Sequence, residues 1–154
     1  MPTAFPPKGR LFHVVPPWVR DGAVFHIRVR CAPSSIRRLT DTDVGRPIID
    51  SVRQYHAEGR WWCRLFLLMP DHLHALITFP RAAGMSATIK QWKSYHTRTN
   101  HLSWQEGYFD HRIRSVYELD EKGHYIRQNP VTKGLCETPE DWPWVIDLKA
   151  LENE

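Results

Sequence analysis

Cysteine is scarce: Cys31, Cys63 and Cys136 are odd in number and show no Cys-x-x-Cys spacing. A disulfide framework and a cysteine zinc site are therefore not indicated, and reduced thiols in or near the core are expected. No apolar run approaches the roughly 18 residues of a membrane span. The longest is Leu65-Phe66-Leu67-Leu68-Met69, and residues 1–7 lack the apolar core of a signal peptide. A cytoplasmic protein with no membrane partner is the expectation. No glycine-rich phosphate cradle is present either, so nothing calls for a nucleotide cofactor. Net charge is small, with 21 Lys and Arg against 17 Asp and Glu, or +4. That permits a polyanionic partner without demanding one.

What is present suits one globular domain with a real core, at 154 residues, 42% apolar and 25% charged. The basic residues stand beside aromatics, in Arg60-Trp61-Trp62-Cys63-Arg64 and in Lys90-Gln91-Trp92-Lys93-Ser94-Tyr95-His96-Thr97-Arg98. Cations that track phosphates and rings that stack on bases suit single-stranded nucleic acid. Core filling is the alternative for most of the seven tryptophans.

The central stretch is Met69-Pro70-Asp71-His72-Leu73-His74-Ala75-Leu76-Ile77-Thr78-Phe79. In an extended chain successive side chains alternate between faces, so His72 and His74 share one face and Leu73, Ala75, Ile77 and Phe79 the other. The histidine face can hold a metal ion while the apolar face packs on helices. Two surface or hydrogen-bonded histidines are the plainer alternative.

Around it the chain reads as alternating elements. Pro6-Pro7 and Pro16-Pro17 argue for an extended arm over residues 1–20, in which Arg10, His13, Trp18 and Arg20 either touch nucleic acid or cover a sheet edge. Residues 23–31 alternate Phe25, Ile27, Val29 and Cys31 against His26, Arg28 and Arg30, a half-buried strand with a basic outer face. Ile48, Val52 and Tyr55 mark a helix capped from residues 40–43 and ended by Gly59. Residues 61–68 form a central strand, and Pro70-Asp71 turns into the histidine strand. Ser86 caps a basic helix to about Asn100, with Ile89, Trp92 and His96 inward and Lys90, Lys93 and Arg98 outward. Residues 108–115 are a fourth strand, alternating Phe109, His111, Ile113 and Ser115 against Asp110, Arg112 and Arg114.

The order strand, helix, strand, strand, helix, strand predicts an α+β, ferredoxin-like sandwich, an antiparallel sheet with helices on one face. A last helix over residues 116–129, stopped by Pro130, has the stripe Val116, Leu119, Gly123 and Ile126. At 100° per residue Tyr125 lies about 140° from that stripe, and Asn129 falls on nearly the same side one turn later. A phenol and an amide thus project together from a helix that packs on the sheet.

Four segments are read together: Met69-Pro70-Asp71-His72-Leu73-His74; Trp104-Gln105-Glu106-Gly107-Tyr108-Phe109-Asp110-His111-Arg112-Ile113-Arg114; Tyr125-Ile126-Arg127-Gln128-Asn129-Pro130-Val131-Thr132-Lys133-Gly134-Leu135; and Glu140-Asp141-Trp142-Pro143-Trp144. In order and spacing this set resembles the single-tyrosine HUH transposases, and within them the REP-associated subgroup, over roughly residues 10–145. The resemblance implies His72 and His74 as metal ligands, Asn129 as a third, oxygen ligand, and Tyr125 as the nucleophile. It divides the chain into the arm, residues 1–20, an HUH core, 21–115, and the tyrosine helix with its tail, 116–154. One departure is Val145-Ile146, where the family often has small hydroxyl residues.

The function implied is cleavage and rejoining of single-stranded or hairpin DNA through a 5′-phosphotyrosine, with a divalent ion, Mg²⁺ or Mn²⁺, as cofactor. His111 and His124 are candidate bases for the phenolic proton. Arg28, Arg30, Lys90, Lys93, Arg98, Arg112 and Arg114 are candidate phosphate contacts, and Trp92, Tyr95 and Trp104 candidate stacking surfaces. A catalytically inactive or domesticated single-stranded nucleic-acid-binding module is the alternative, and a metal-dependent hydrolase using water a weaker one. The short stretch between His111 and Tyr125 favours a site completed within one chain, with monomer and homodimer both open.

Overall fold

The computed structural model describes residues 15–148. Within them the order is α1 (Pro17–Arg20), β1 (Phe25–Arg30), α2 (Thr42–Ala57), β2 (Trp62–Leu68), β3 (His72–Thr78), α3 (Met85–Asn100), β4 (Phe109–Arg112), α4 (Val116–Thr132), a 3-10 turn (Pro139–Asp141) and β5 (Val145–Asp147). The strands form one antiparallel sheet, spatially β4-β1-β3-β2-β5. Its first four strands have the expected ferredoxin-like arrangement, and the α+β class holds.

The alternation in β3 sorts its two faces as expected. Leu73, Ala75 and Ile77 join Ile27, Val29 and Phe66 beneath α2 and α3, which contribute Val44, Ile48, Val52, Ile89 and Trp92. On the opposite face Leu65, Leu67 and Leu76 meet Ile126 and Leu119 of α4. The helices therefore lie on both sides: α2 and α3 complete the sandwich, and α4 covers the histidine face. A register shift between Cys63 and Leu65 keeps both apolar sets of β2 buried although Arg64 intervenes.

Several local expectations differ. Pro17 opens a one-turn helix instead of extending the arm, because a first-turn proline lacks only an N–H that the helix would leave unpaired anyway. Trp18 packs beside Val19, Trp62 and Leu148, while Arg20 is exposed. Arg10 and His13 lie outside the described residues. The cap of α3 is Gly84, at φ 76°, rather than Ser86, whose hydroxyl instead meets the Tyr108 phenol at 3.0 Å. β4 stops at Arg112, and Ser115 caps α4 by accepting from the Glu118 N–H at 3.0 Å.

Pro130 does not end α4, which runs on to Thr132. Val116 is 77% exposed and no part of the buried stripe, since the helix reaches the sheet only from Leu119 onward. The tail supplies a strand that the sequence reading did not foresee: β5 pairs Val145, Ile146 and Asp147 with Leu67, Phe66 and Leu65. Trp142 anchors it by donating its indole N–H to the Leu68 carbonyl at 2.9 Å. Cys31, Cys63 and Cys136 are free thiols, Cys63 buried. Among the described residues no helix is long and apolar enough to cross a membrane.

Candidate metal and nucleic-acid site

Antiparallel pairing sets the floor of the site. Arg30 lies opposite His72 and Arg28 opposite His74, so two cations and two imidazoles stand side by side on the face under α4. The His72 and His74 rings are 4.9 Å apart and nearly perpendicular. Asp71, at the turn into β3, holds His72 Nδ1 at 2.7 Å. An imidazole that donates Nδ1–H to a carboxylate keeps Nε2 as a lone pair, the arrangement ligand histidines use.

His74 is held at both nitrogens. Its Nδ1 is 3.0 Å from His26 Nε2 and its Nε2 is 2.9 Å from Asn129 Nδ2. All three groups are buried. Burial, then repulsion from His72, His26 and the two arginines, pushes the pKa of His74 down to about 3, and burial, then Lys122 and Arg28, pushes that of His26 down to about 4, which favours the neutral rings near pH 7. Burial also lowers His72, partly offset by its hydrogen bond to Asp71, and that bond in turn depresses the Asp71 carboxyl. Neutral imidazoles are the form that binds a metal.

The other wall is α4. Asn129 is buried at its edge, whereas Tyr125 is 54% exposed with its ring 5.9 Å from that of His74, edge to face. The cavity between them has a volume of about 370 Å³, and Arg28, Arg30, Arg38 and Lys133 join Tyr125, Asn129, His72, His74 and Asp71 in lining it. Four cationic side chains against one carboxylate give the cavity a positive lining, which attracts anions. Gly134, at φ 74°, turns the chain back after α4, so that Leu135 closes one side.

One chain thus brings His72, His74, Asn129 and Tyr125 to a single cavity. Arg28 and Arg30 are there too. Lys90, Lys93 and Arg98 instead line a separate groove of about 820 Å³ beside Trp104 and Tyr108, on the layer that covers the opposite face of the sheet. Lys93 is already engaged there, donating to the carbonyls of Gln105 and Gly107 at 3.1 and 2.8 Å. Arg112 and Arg114 are exposed and line neither cavity.

Trp92 is a correction: it is 2% exposed and its indole N–H donates to Ser51 Oγ at 2.9 Å, so it is a core ring and no stacking surface. Trp104 is half-buried, its indole N–H donating to the Lys93 carbonyl, while Tyr95 stays 43% exposed against His96. His111 is tied to Glu118 at 2.9 Å, and neither it nor His124 lines the cavity. His26, Arg38 and Lys133 escaped the sequence reading. Lys133 continues the four-residue series Tyr125, Asn129, Lys133, a usable signal; His26 was assigned to an outer face that α4 in fact covers.

Among the described residues no three His, Cys, Asp or Glu side chains gather as a metal group. The amide of Asn129 is the polar side chain of α4 that meets His74 Nε2. Its nitrogen rather than its oxygen faces His74; rotation about the terminal side-chain bond exchanges the two.

The comparisons with known proteins bear on the fold. No family model matches the chain. A solved structure, "Structure of the REP associates tyrosine transposase bound to a REP hairpin", superposes with a TM-score of 0.68 at 23% identity, over 80% of this chain and 76% of that one. A Haemophilus influenzae protein named "Putative REP-associated tyrosine transposase" is 27% identical across 54% of this chain and 58% of its own length. The resemblance to the REP-associated tyrosine transposases holds. This chain spans less than two thirds of that curated relative, and the structural likeness is one of fold.

Proposed function

We propose that this chain cleaves and rejoins single-stranded DNA beside a hairpin, with Tyr125 as nucleophile and a divalent cation, Mg²⁺ or Mn²⁺, held by His72, His74 and Asn129. The observation that carries the reading is the meeting, in one basic cavity, of two neutral histidines from a strand with a buried amide and an exposed phenol from α4. Two nitrogens and one amide oxygen form an open, mixed donor set that leaves positions for phosphate oxygens and suits these ions. When bound, the cation supplies charge neutralisation at the scissile phosphate and helps the phenolate form.

The residues of the chain do the rest. Arg28 and Arg30, in register with the two histidines, hold the phosphate oxygens and orient the strand. Tyr125 Oη then forms a bond to phosphorus as the bond to the 3′-oxygen breaks, leaving a 5′-phosphotyrosine and a 3′-hydroxyl. The phenolic proton passes to solvent at the open side of the cavity, where Tyr125 is exposed, and the departing 3′-oxygen takes a proton from the same solvent. Attack of a 3′-hydroxyl on the phosphotyrosine reverses the step, so rejoining needs no nucleotide cofactor.

Incubation with Mn²⁺ and a labelled hairpin carrying a single-stranded flank tests the reading. A covalent protein–DNA adduct is expected from the parent chain and none from Tyr125→Phe. Equal cleavage by the two proteins would assign the nucleophile to water, and binding without cleavage would leave a non-catalytic DNA-binding module. Because Tyr125 is exposed, Tyr125→Phe should change stability by less than about 0.5 kcal/mol.

A further inference from the structure

We infer that His26 is a positioning residue that sets which nitrogen of His74 is free to bind a metal ion. The inference rests on the reading of His74 as a ligand, and its first test does not depend on it. His26 stands on β1 directly beside β3, its ring stacked on that of His74 with centroids 5.2 Å apart and planes at 29°. It is 4% exposed, and its ring also meets that of Phe109, edge to face at 5.7 Å. The ring is therefore fixed by packing as well as by its hydrogen bond.

The directions of the hydrogen bonds follow from donor arithmetic. In the orientation the structure shows, the Asn129 amide nitrogen, which can only donate, faces His74 Nε2 at 2.9 Å, so that nitrogen accepts and carries no proton. The single proton of neutral His74 then sits on Nδ1 and is donated to His26 Nε2 at 3.0 Å. His26 must in turn carry its own proton on Nδ1. In this tautomer the lone pair of His74 Nε2 points at Asn129 and the cavity, and an ion arriving there needs no proton moved off that nitrogen. Asp71 performs the corresponding service for His72, at 2.7 Å. The two ligand candidates are thus oriented by different means, one by a carboxylate and the other by a second imidazole.

Two experiments test this. In the metal-free protein, long-range ¹H–¹⁵N spectra of the imidazoles should show His74 protonated at Nδ1, with Nε2 at the shift of an unprotonated nitrogen. Protonation at Nε2 would overturn the inference whether or not the protein binds metal. The second is titration with Mn²⁺ alone, followed by electron paramagnetic resonance, on the parent chain, His26→Leu and His26→Gln. His26→Leu cannot accept the bond and should weaken Mn²⁺ binding about 10- to 100-fold, the range for loss of an outer-shell partner. His26→Gln, whose side-chain oxygen can accept, should recover most of it. Equal affinity in all three would sink the positioning role, as would equal loss in His26→Leu and His26→Gln. If His26→Leu does not fold, the spectrum of the parent decides. Failure of the parent to bind Mn²⁺ would count against the proposed function and leave the tautomer result to judge His26.

Discussion

Asn129 Nδ2 lies 2.9 Å from His74 Nε2, joining the tyrosine helix to the histidine strand across 55 residues of sequence. Both side chains are buried, so the contact excludes water as well as connecting the two elements. Asn129→Ala removes the only α4 side chain in contact with His74 Nε2 through a hydrogen bond among the described residues. It should weaken Mn²⁺ binding at least about tenfold, with loss of adduct formation in proportion. Mn²⁺ titration and the hairpin cleavage assay read the two effects side by side.

Arg30 is exposed on the cavity wall, opposite His72. Arg30→Ala should weaken binding of a hairpin oligonucleotide regardless of its sequence. The slope of log affinity against log salt should fall by about one, as for loss of a single phosphate contact. Fluorescence anisotropy at several salt concentrations measures it; an unchanged slope would place the DNA backbone elsewhere. Arg114→Ala, away from the cavity, is the control.

His56 and His96 are buried on the other side of the sheet, and burial pushes each down to about 4. His56 Nδ1 accepts from the Cys63 N–H at 3.0 Å, and His96 Nε2 meets Ser51 Oγ at 2.8 Å. A histidine whose folded pKa lies below its unfolded value of about 6.5 favours the native state fully above pH 6.5 and progressively less as pH falls toward 4. Each should therefore remove up to about 3 kcal/mol of stability over that window. Urea unfolding between pH 7 and pH 4.5 should show the decline, and His96→Gln should flatten it.

Gly45, inside α2, lets Trp144 lie against the helix: a Cβ there would come within 2.5 Å of the indole ring and 2.8 Å of the Leu39 carbonyl oxygen. Gly45→Ala should cost about 1–3 kcal/mol by overpacking, although alanine is the better helix former. Part of that loss should return in the double variant Gly45→Ala, Trp144→Leu, the approach to the Leu39 carbonyl remaining. Thermal unfolding of the three variants checks it.

The alternation of β3 was legible because a period of two needs only local sequence: it put His72 and His74 together and their apolar neighbours on the far side. The same held for Tyr125 and Asn129, one turn apart and off the apolar stripe of α4. Local pattern also placed β1, α2 and α3 to within a few residues. Their ferredoxin-like order followed from the sequence of element types.

Other features needed the assembled fold. The alternation that grouped His26 with Arg28 and Arg30 said which residues share a face, but not that α4 would cover that face and turn an outer histidine into a buried partner of His74. Trp92 carries the same basic and aromatic surroundings as a stacking residue, yet α3 packs it onto the sheet, and burial follows from that docking alone. Residues 145–147 became a strand because β2 had an unpaired edge and Trp142 could reach the Leu68 carbonyl. Sequence by itself determined which side chains travel together along each element, since that depends on backbone periodicity. Tertiary structure decided which faces meet, and so which of those side chains lie in the cavity, in the core or in water, because burial is a property of two packed surfaces and not of either one alone.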